Sequence, residues 1–232
     1  TDMPGNEGFA DIIAGLEKYF EHGLYLADSV SPEIRFGQYD SYFMFHAGSD
    51  RQNDIGFPLT CNDLFTGYIS YYDTLWVDND STGIVDAMMM PEYTSQDNRA
   101  TAMNAVMAHE FGHQLGLVDL YRTDYFVTCL GDFALMDNNG FGTAIDFGWD
   151  VGRTFGAMPV YPSAWSRAYL GFVEVHDFRE GTNIEIVAAE IQREGVKVAR
   201  VPISENEYYL IENRLVDTDG RATAMLADSA TS

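Results

Sequence analysis

An α/β fold is what this sequence predicts. Three observations carry it: apolar residues at helical spacing near the start, three short apolar runs broken by turn residues, and a second helical pattern closed by a glycine. Phe9, Ile12, Ile13, Leu16, Tyr19, Phe20 and Leu24 recur on one face, so residues 9–24 read as an amphipathic helix against a core. Residues 42–46, 68–77 and 84–90 are apolar and aromatic, with Gly, Asp, Asn and Pro between them, which suits strands of one sheet. In the second helix Ala102, Ala105, Val106, His109, Gly112 and His113 share a broad face, Thr94, Ser95 and Asp97 are candidate caps, and Gly116 is a natural left-handed terminator.

Residues 120–169 are rich in Gly, Asp, Asn and aromatics with little periodicity, and read as irregular structure held by a few anchors. After Gly171 the runs 172–175, 184–188, 196–201 and 208–211 read as short strands of a β-rich end portion. Residues 217–232 are small and polar without a packing pattern, which suits a frayed or truncated tail. The expected division is therefore 1–170 for the main domain, 171–216 for a β-rich extension packed on it, and 217–232 for the tail.

The charge balance narrows the partners. The 232 residues hold 13 Lys+Arg against 36 Asp+Glu, a net charge of -23, which repels phosphate backbones and anionic membrane surfaces. Nucleic acid is not an expected partner. Such acidity either faces water or binds hard cations such as calcium. No run approaches the roughly 20 apolar residues of a membrane-spanning helix. The sequence starts at Thr1 with no basic and apolar leader in view, which leaves open whether a signal segment preceded it. Cys61 and Cys129 stand as two free thiols or close a long loop as a disulfide, worth ~4 kcal/mol in the chain-entropy model.

The chemistry gathers in one segment. On a helix, residues four apart stack on one face, so His109 and His113 can turn imidazole nitrogens to one ion. Glu110 lies about 100° round the helix from His109, placed to reach a water at that ion as a general base without ligating it. Gly116 allows a sharp turn that can bring Asp119 back as a third, oxygen ligand, leaving a fourth position for water. Chance alone gives the His-Glu-x-x-His core roughly 0.005 expected matches in a chain of this composition, so the segment is read as functional. His46 reads as a strand-end residue making a structural hydrogen bond. The stretch 78–83 with Asp86 beyond has oxygen ligands in calcium-loop order but no twelfth-position Glu; Asp78, Asp80 and Asp86 are its candidate calcium ligands, against a solvated acidic turn.

The segment His109 to Tyr121, HEFGHQLGLVDLY, resembles the immune inhibitor A family of secreted bacterial zinc metallopeptidases, within the metzincin class. Further similar pieces are His46-Ala47-Gly48, Leu135-Met136, Ser163-Ala164-Trp165-Ser166 leading to Leu170-Gly171, and 207–213, together spanning most of residues 40–215. The resemblance implies a zincin-like catalytic domain: a mixed sheet with an active-site helix, then an irregular lower part. It also implies that Met136 occupies a turn beneath the zinc, as an apolar floor under the imidazoles. Asp119 stands where the commoner metzincin pattern has a third His, a departure shared with this family. The expectation is a secreted, extracellular, monomeric zinc endopeptidase acting on proteins or peptides, with calcium as a second candidate metal. A peptide would pair along a sheet edge supplied by residues 68–77 or 84–90. The competing expectation is a catalytically silent zinc- or calcium-binding surface module.

Overall fold

The computed structural model describes residues 9–54, 56, 63–97, 100–138, 144–146, 152–178 and 180–215. Two units make up the chain, Thr1–Gly116 with Asp146–Met158 and Leu117–Ile145 with Pro159–Ser232.

In the first unit the apolar stripe near the start forms helix α1, Phe9–Val30, six residues longer than its spacing indicated. Its Leu16, Phe20 and Leu24 are buried with Phe36, Ile69, Leu75, Val77, Ile84, Ala87 and Met89. Each such side chain taken from water contributes about 1.5–3 kcal/mol, which makes this cluster the main stabilising element of the unit. Tyr71 ties the sheet to the helix, its hydroxyl donating to the Glu17 carbonyl at 3.0 Å and its ring lying 5.9 Å from that of Phe20.

The sheet has the order β1-β3-β2, with β1 Phe43–His46, β2 Gly67–Val77 and β3 Thr82–Pro91. β1 runs parallel to β3 and β2 antiparallel to it. Residues 87–90 of β3 have no exposed surface, because a central strand is covered on both faces and its sequence runs continuously apolar. That position narrows one expectation: residues 88 and 89 of β3 have neighbours on both sides and cannot receive a peptide, whereas β2 is paired on one side among the described residues. Met88 turns its N–H toward β1, donating to the Tyr42 carbonyl at 2.9 Å. Tyr68 stands opposite Met88, so its own N–H points to the open edge of β2. The register shifts between Ser70 and Leu75, where a bulge interrupts the ladder.

In the second unit, residues 117–138 contain a single 3-10 turn, Gly131–Phe133, and one bridge pairing Arg122 with Val127. Helix α3, Ala164–Tyr169, is capped by Ser163, whose hydroxyl accepts the Ser166 N–H at 3.2 Å. Strand β4, Ala144–Asp146, is short, as is β5, Arg153–Phe155, which belongs to the first unit. β6 Val175–Asp177, β7 Val198–Pro202 and β8 Tyr208–Glu212 form a sheet in that order. The run 172–175 becomes a strand only at its last residue, because Phe172 donates its N–H back to the Arg167 carbonyl of α3. The run 184–188 forms no strand: Ile186 pairs with Val196 and Ala188 with Asn213, so alternate residues go to different partners and no ladder propagates. A buried ionic cluster, Arg167 with Glu212 and Arg214 with Glu190 and Glu212, fastens α3 to the end of β8. Residues 217–232, read as a tail, lie outside the described residues. Among the described residues no helix is long and apolar enough to cross a membrane.

Candidate metal centre

Helix α2, Asn104–Gln114, carries the centre. It starts later than the candidate caps allow: Thr94, Ser95 and Asp97 lie upstream of it, and no side chain caps its first turn. The main chain of a neighbouring loop does that work, the Gly156 carbonyl accepting the Ala105 N–H at 2.9 Å and the Ala157 carbonyl accepting from Asn104 Nδ2. Gly156 has φ +73°, and a Cβ there would stand 2.4 Å from the Ala102 oxygen, so only glycine fits. The helix ends at Gly116, with φ 94°, as its left-handed terminator role requires. Gln114 pins this end to the sheet, its amide donating to Asp86 Oδ1 at 2.8 Å and to the Asp40 carbonyl at 3.0 Å.

His109 is buried and His113 half-buried, their rings edge to face with centroids 4.9 Å apart. His109, His113 and Asp119 each offer one ligand atom, and these atoms lie within 4.8 Å of one another. Donors at about 2.0–2.2 Å from a single ion are spaced on this scale, so two imidazoles and a carboxylate fit zinc without a large rearrangement. Glu110 is not part of that group. It is buried next to it, with Oε2 accepting the edge-facing Tyr68 N–H at 2.7 Å. The Tyr68 ring lies 5.8 Å from that of His113. Met136 is fully buried, and its carbonyl accepts the Leu120 N–H at 2.8 Å.

The other candidates are placed differently. Asp78, Asn79 and Asp80 all take left-handed backbone in the β2–β3 turn, which Asp and Asn tolerate. Asp78 accepts the Gly37 N–H at 3.0 Å and the Thr82 hydroxyl at 2.9 Å, and those bonds, the main-chain one foremost, hold its carboxyl below the usual carboxylate range. Asp86 holds Gln114. Among the described residues Asp78, Asp80 and Asp86 do not form a ligand group; His109, His113 and Asp119 do. His46 is buried at the end of β1 with Nδ1 3.0 Å from the Ala47 carbonyl, outside the metal group. Cys129 is a free, exposed thiol, and Cys61 lies outside the described residues.

Sequence reasoning missed three contributors: the Tyr68 N–H, the Gln114 to Asp86 bond and Asp137, described below. The first is a main-chain group and leaves no residue signature. Gln114 sits inside the motif, where a polar residue at the end of a half-buried helix was the available signal.

A helical histidine pair with a nearby carboxylate is the donor set of a metal-dependent hydrolase. The family model for the immune inhibitor A peptidase M6 catalytic domain matches residues 36–171, more than half of the chain, and the chain belongs to that family. It is accordingly a metallopeptidase, and the reading as a catalytically silent module is not favoured. Neither the curated proteins nor the solved structures include a match.

Proposed function

We propose that this protein is a zinc-dependent endopeptidase, with one zinc held by His109, His113 and Asp119 and with Glu110 as general base. The observation that carries the reading is the clustering of those three donors beside a second acidic residue, Glu110, that does not join them. When bound, zinc would polarise the scissile carbonyl and lower the pKa of water toward about 7. Glu110 takes the proton of the attacking water and passes it to the leaving amine. The Tyr68 N–H keeps the Glu110 carboxylate in one orientation, since a buried carboxylate bound to a main-chain donor loses the freedom to turn away. Met136 serves as the apolar floor of the centre. The substrate is an extended peptide that pairs with the outer edge of β2 ahead of the bulge through the Ser70 main chain and the Tyr68 carbonyl, the Tyr68 N–H being taken by Glu110. An extracellular site of action rests on the family resemblance alone.

Metal analysis of protein kept from chelators is expected to find close to one zinc per chain. Cleavage of casein or a quenched peptide is expected to stop with a chelator and return with zinc. A zinc-free chain, or cleavage indifferent to chelation, would overturn the reading. Glu110→Gln tests the base separately. Its amide oxygen can still accept the Tyr68 N–H, so zinc content and melting temperature should stay near the parent while cleavage falls about 100- to 10,000-fold. Substantial remaining activity would remove Glu110 from that role.

A further inference from the structure

The segment that runs from Asp119 to the Met136 turn carries a carboxylate that the proposed mechanism does not use. Asp137 has no exposed surface. Its Oδ2 accepts three successive main-chain N–H groups, those of Cys129 at 2.8 Å, Leu130 at 2.5 Å and Gly131 at 3.2 Å. Its Oδ1 accepts the Thr128 hydroxyl at 2.5 Å. A carboxylate out of water is tolerated only when donors surround it, and here four do. The same four bonds determine the path of residues 128–130, which no ladder or helix holds, up to the start of the 3-10 turn at Gly131.

The turn that Asp137 anchors connects back to the acidic donor of the metal group. The Met136 carbonyl, one peptide before Asp137, accepts the N–H of Leu120, one residue after Asp119. Asn138, on the other side of Asp137, donates its amide to the Phe126 carbonyl at 2.6 Å. The two ends of the stretch 119–138 are thus fastened where Leu120 meets Met136, with Asp137 holding the interior.

We infer that Asp137 is a positioning residue for the metal centre: by gathering the N–H groups of 129–131 it fixes the Met136 carbonyl, and through the Leu120 N–H that carbonyl fixes Asp119. This rests on the reading of Asp119 as a zinc ligand. The inference is distinct from a general stabilising role because it requires that zinc sense Asp137 only through Asp119.

A double-mutant cycle on zinc binding separates the two. Zinc dissociation constants are measured by chelator competition for the parent, Asp137→Ala, Asp119→Ala and the double variant, with melting temperatures of the metal-free proteins alongside. Asp137→Ala is expected to weaken zinc about 10- to 100-fold in the parent, the size of losing support behind a ligand. In the Asp119→Ala background it should weaken zinc by less than about twofold, whatever it does to melting temperature. Equal weakening in both backgrounds, or none in the parent, would overturn the inference while leaving the zinc site intact. Zinc held equally by Asp119→Ala and the parent would overturn the ligand assignment and the inference with it. Should Asp137→Ala fail to fold, Asp137→Asn takes its place, since its amide can both accept the N–H groups and donate to Thr128. The neutral variant is expected to show the same dependence on Asp119, at about threefold or more in the parent background.

Discussion

Residues 67–116 and residues 117–138 each have to hold a chemical group in place, and they do so by opposite means. In the first stretch the backbone of β2, β3 and α2 runs in a ladder and a helix, apolar residues such as Met88, Met89 and Ala105 are buried, and the histidines ride on that frame. The second stretch has one 3-10 turn and one bridge, and a buried carboxylate takes the place of a ladder by accepting the N–H groups of 129–131. The difference teaches where each region is vulnerable. Packing spreads its free energy over many contacts, so a substitute of similar volume restores most of it. A polar frame concentrates its free energy in a few directed bonds, which a substitute of similar charge does not restore.

Arg214 gives the largest test of that contrast. In the second unit its guanidinium pairs with Glu190 at 2.5 Å and with Glu212 at 3.4 Å, and donates to the carbonyls of Phe133 at 3.1 Å and Tyr161 at 3.3 Å. Arg214→Ala strands the largely buried Glu190, while Glu212 keeps Arg167, and should lower stability by about 3–5 kcal/mol. Arg214→Lys should recover little, because an ammonium cannot reproduce the fork. In the first unit, Met89→Ala should cost about 2–5 kcal/mol, whereas Met89→Leu should cost less than about 1.5 kcal/mol. Urea unfolding of the four variants at unchanged slope measures both pairs. If Lys restored Arg214 as well as Leu restores Met89, polar and packed frames would not differ in kind.

Gly156 offers a sharper and smaller test. Alanine there must adopt φ near +73° and place its Cβ against the Ala102 carbonyl. The backbone term alone costs about 1–2 kcal/mol, with the clash in addition. The damage should centre on the start of α2, seen as faster amide exchange at Ala105, whose N–H the Gly156 carbonyl accepts. Unchanged exchange at Ala105 would mean that this loop does not secure the helix.

The same contrast explains what was legible beforehand. The α1 stripe, the three strand runs, Gly116 and the spacing of His109, Glu110 and His113 all follow from periodicity, because regular backbone imposes a period on the side chains it buries. The start of α2 was misjudged because Gly156, which is distant in sequence, supplies the cap that Thr94, Ser95 and Asp97 were expected to supply. Which strand was central could not be read from the runs 68–77 and 84–90, since both are apolar and order in a sheet is decided by tertiary pairing. Asp137 follows Met136 directly, yet an aspartate in an aperiodic stretch looks like a solvated turn residue until its donors are seen. The candidate calcium residues show the converse: Asp78 Oδ2 accepts the Gly37 N–H and the Thr82 hydroxyl, and Asp86 Oδ1 accepts from Gln114, donors that no spacing rule reveals.

Asp50 yields the smallest effect and shows that polar frames exist in the first unit too. It is buried, its Oδ1 accepting from the Asn53 backbone at 3.2 Å and side chain at 2.6 Å, and its Oδ2 from the Thr66 hydroxyl at 3.2 Å. Burial outweighs those bonds and raises its carboxyl above the usual 3.8. A carboxyl raised on folding means that the folded chain holds the proton more tightly than the unfolded one. Its contribution to stability is therefore fully present below the unfolded value and is lost as pH rises through the folded value. Asp50→Asn, which stays neutral throughout, should match the parent most closely at about pH 3 and gain on it as pH rises toward about 7. The gain is expected to be modest, because the three donors already offset much of the cost of ionisation. Melting temperatures of both proteins at constant ionic strength check this, the difference between them cancelling every other titrating group. A difference that shrank with rising pH would mean that the hydrogen bonds, not burial, dominate at Asp50.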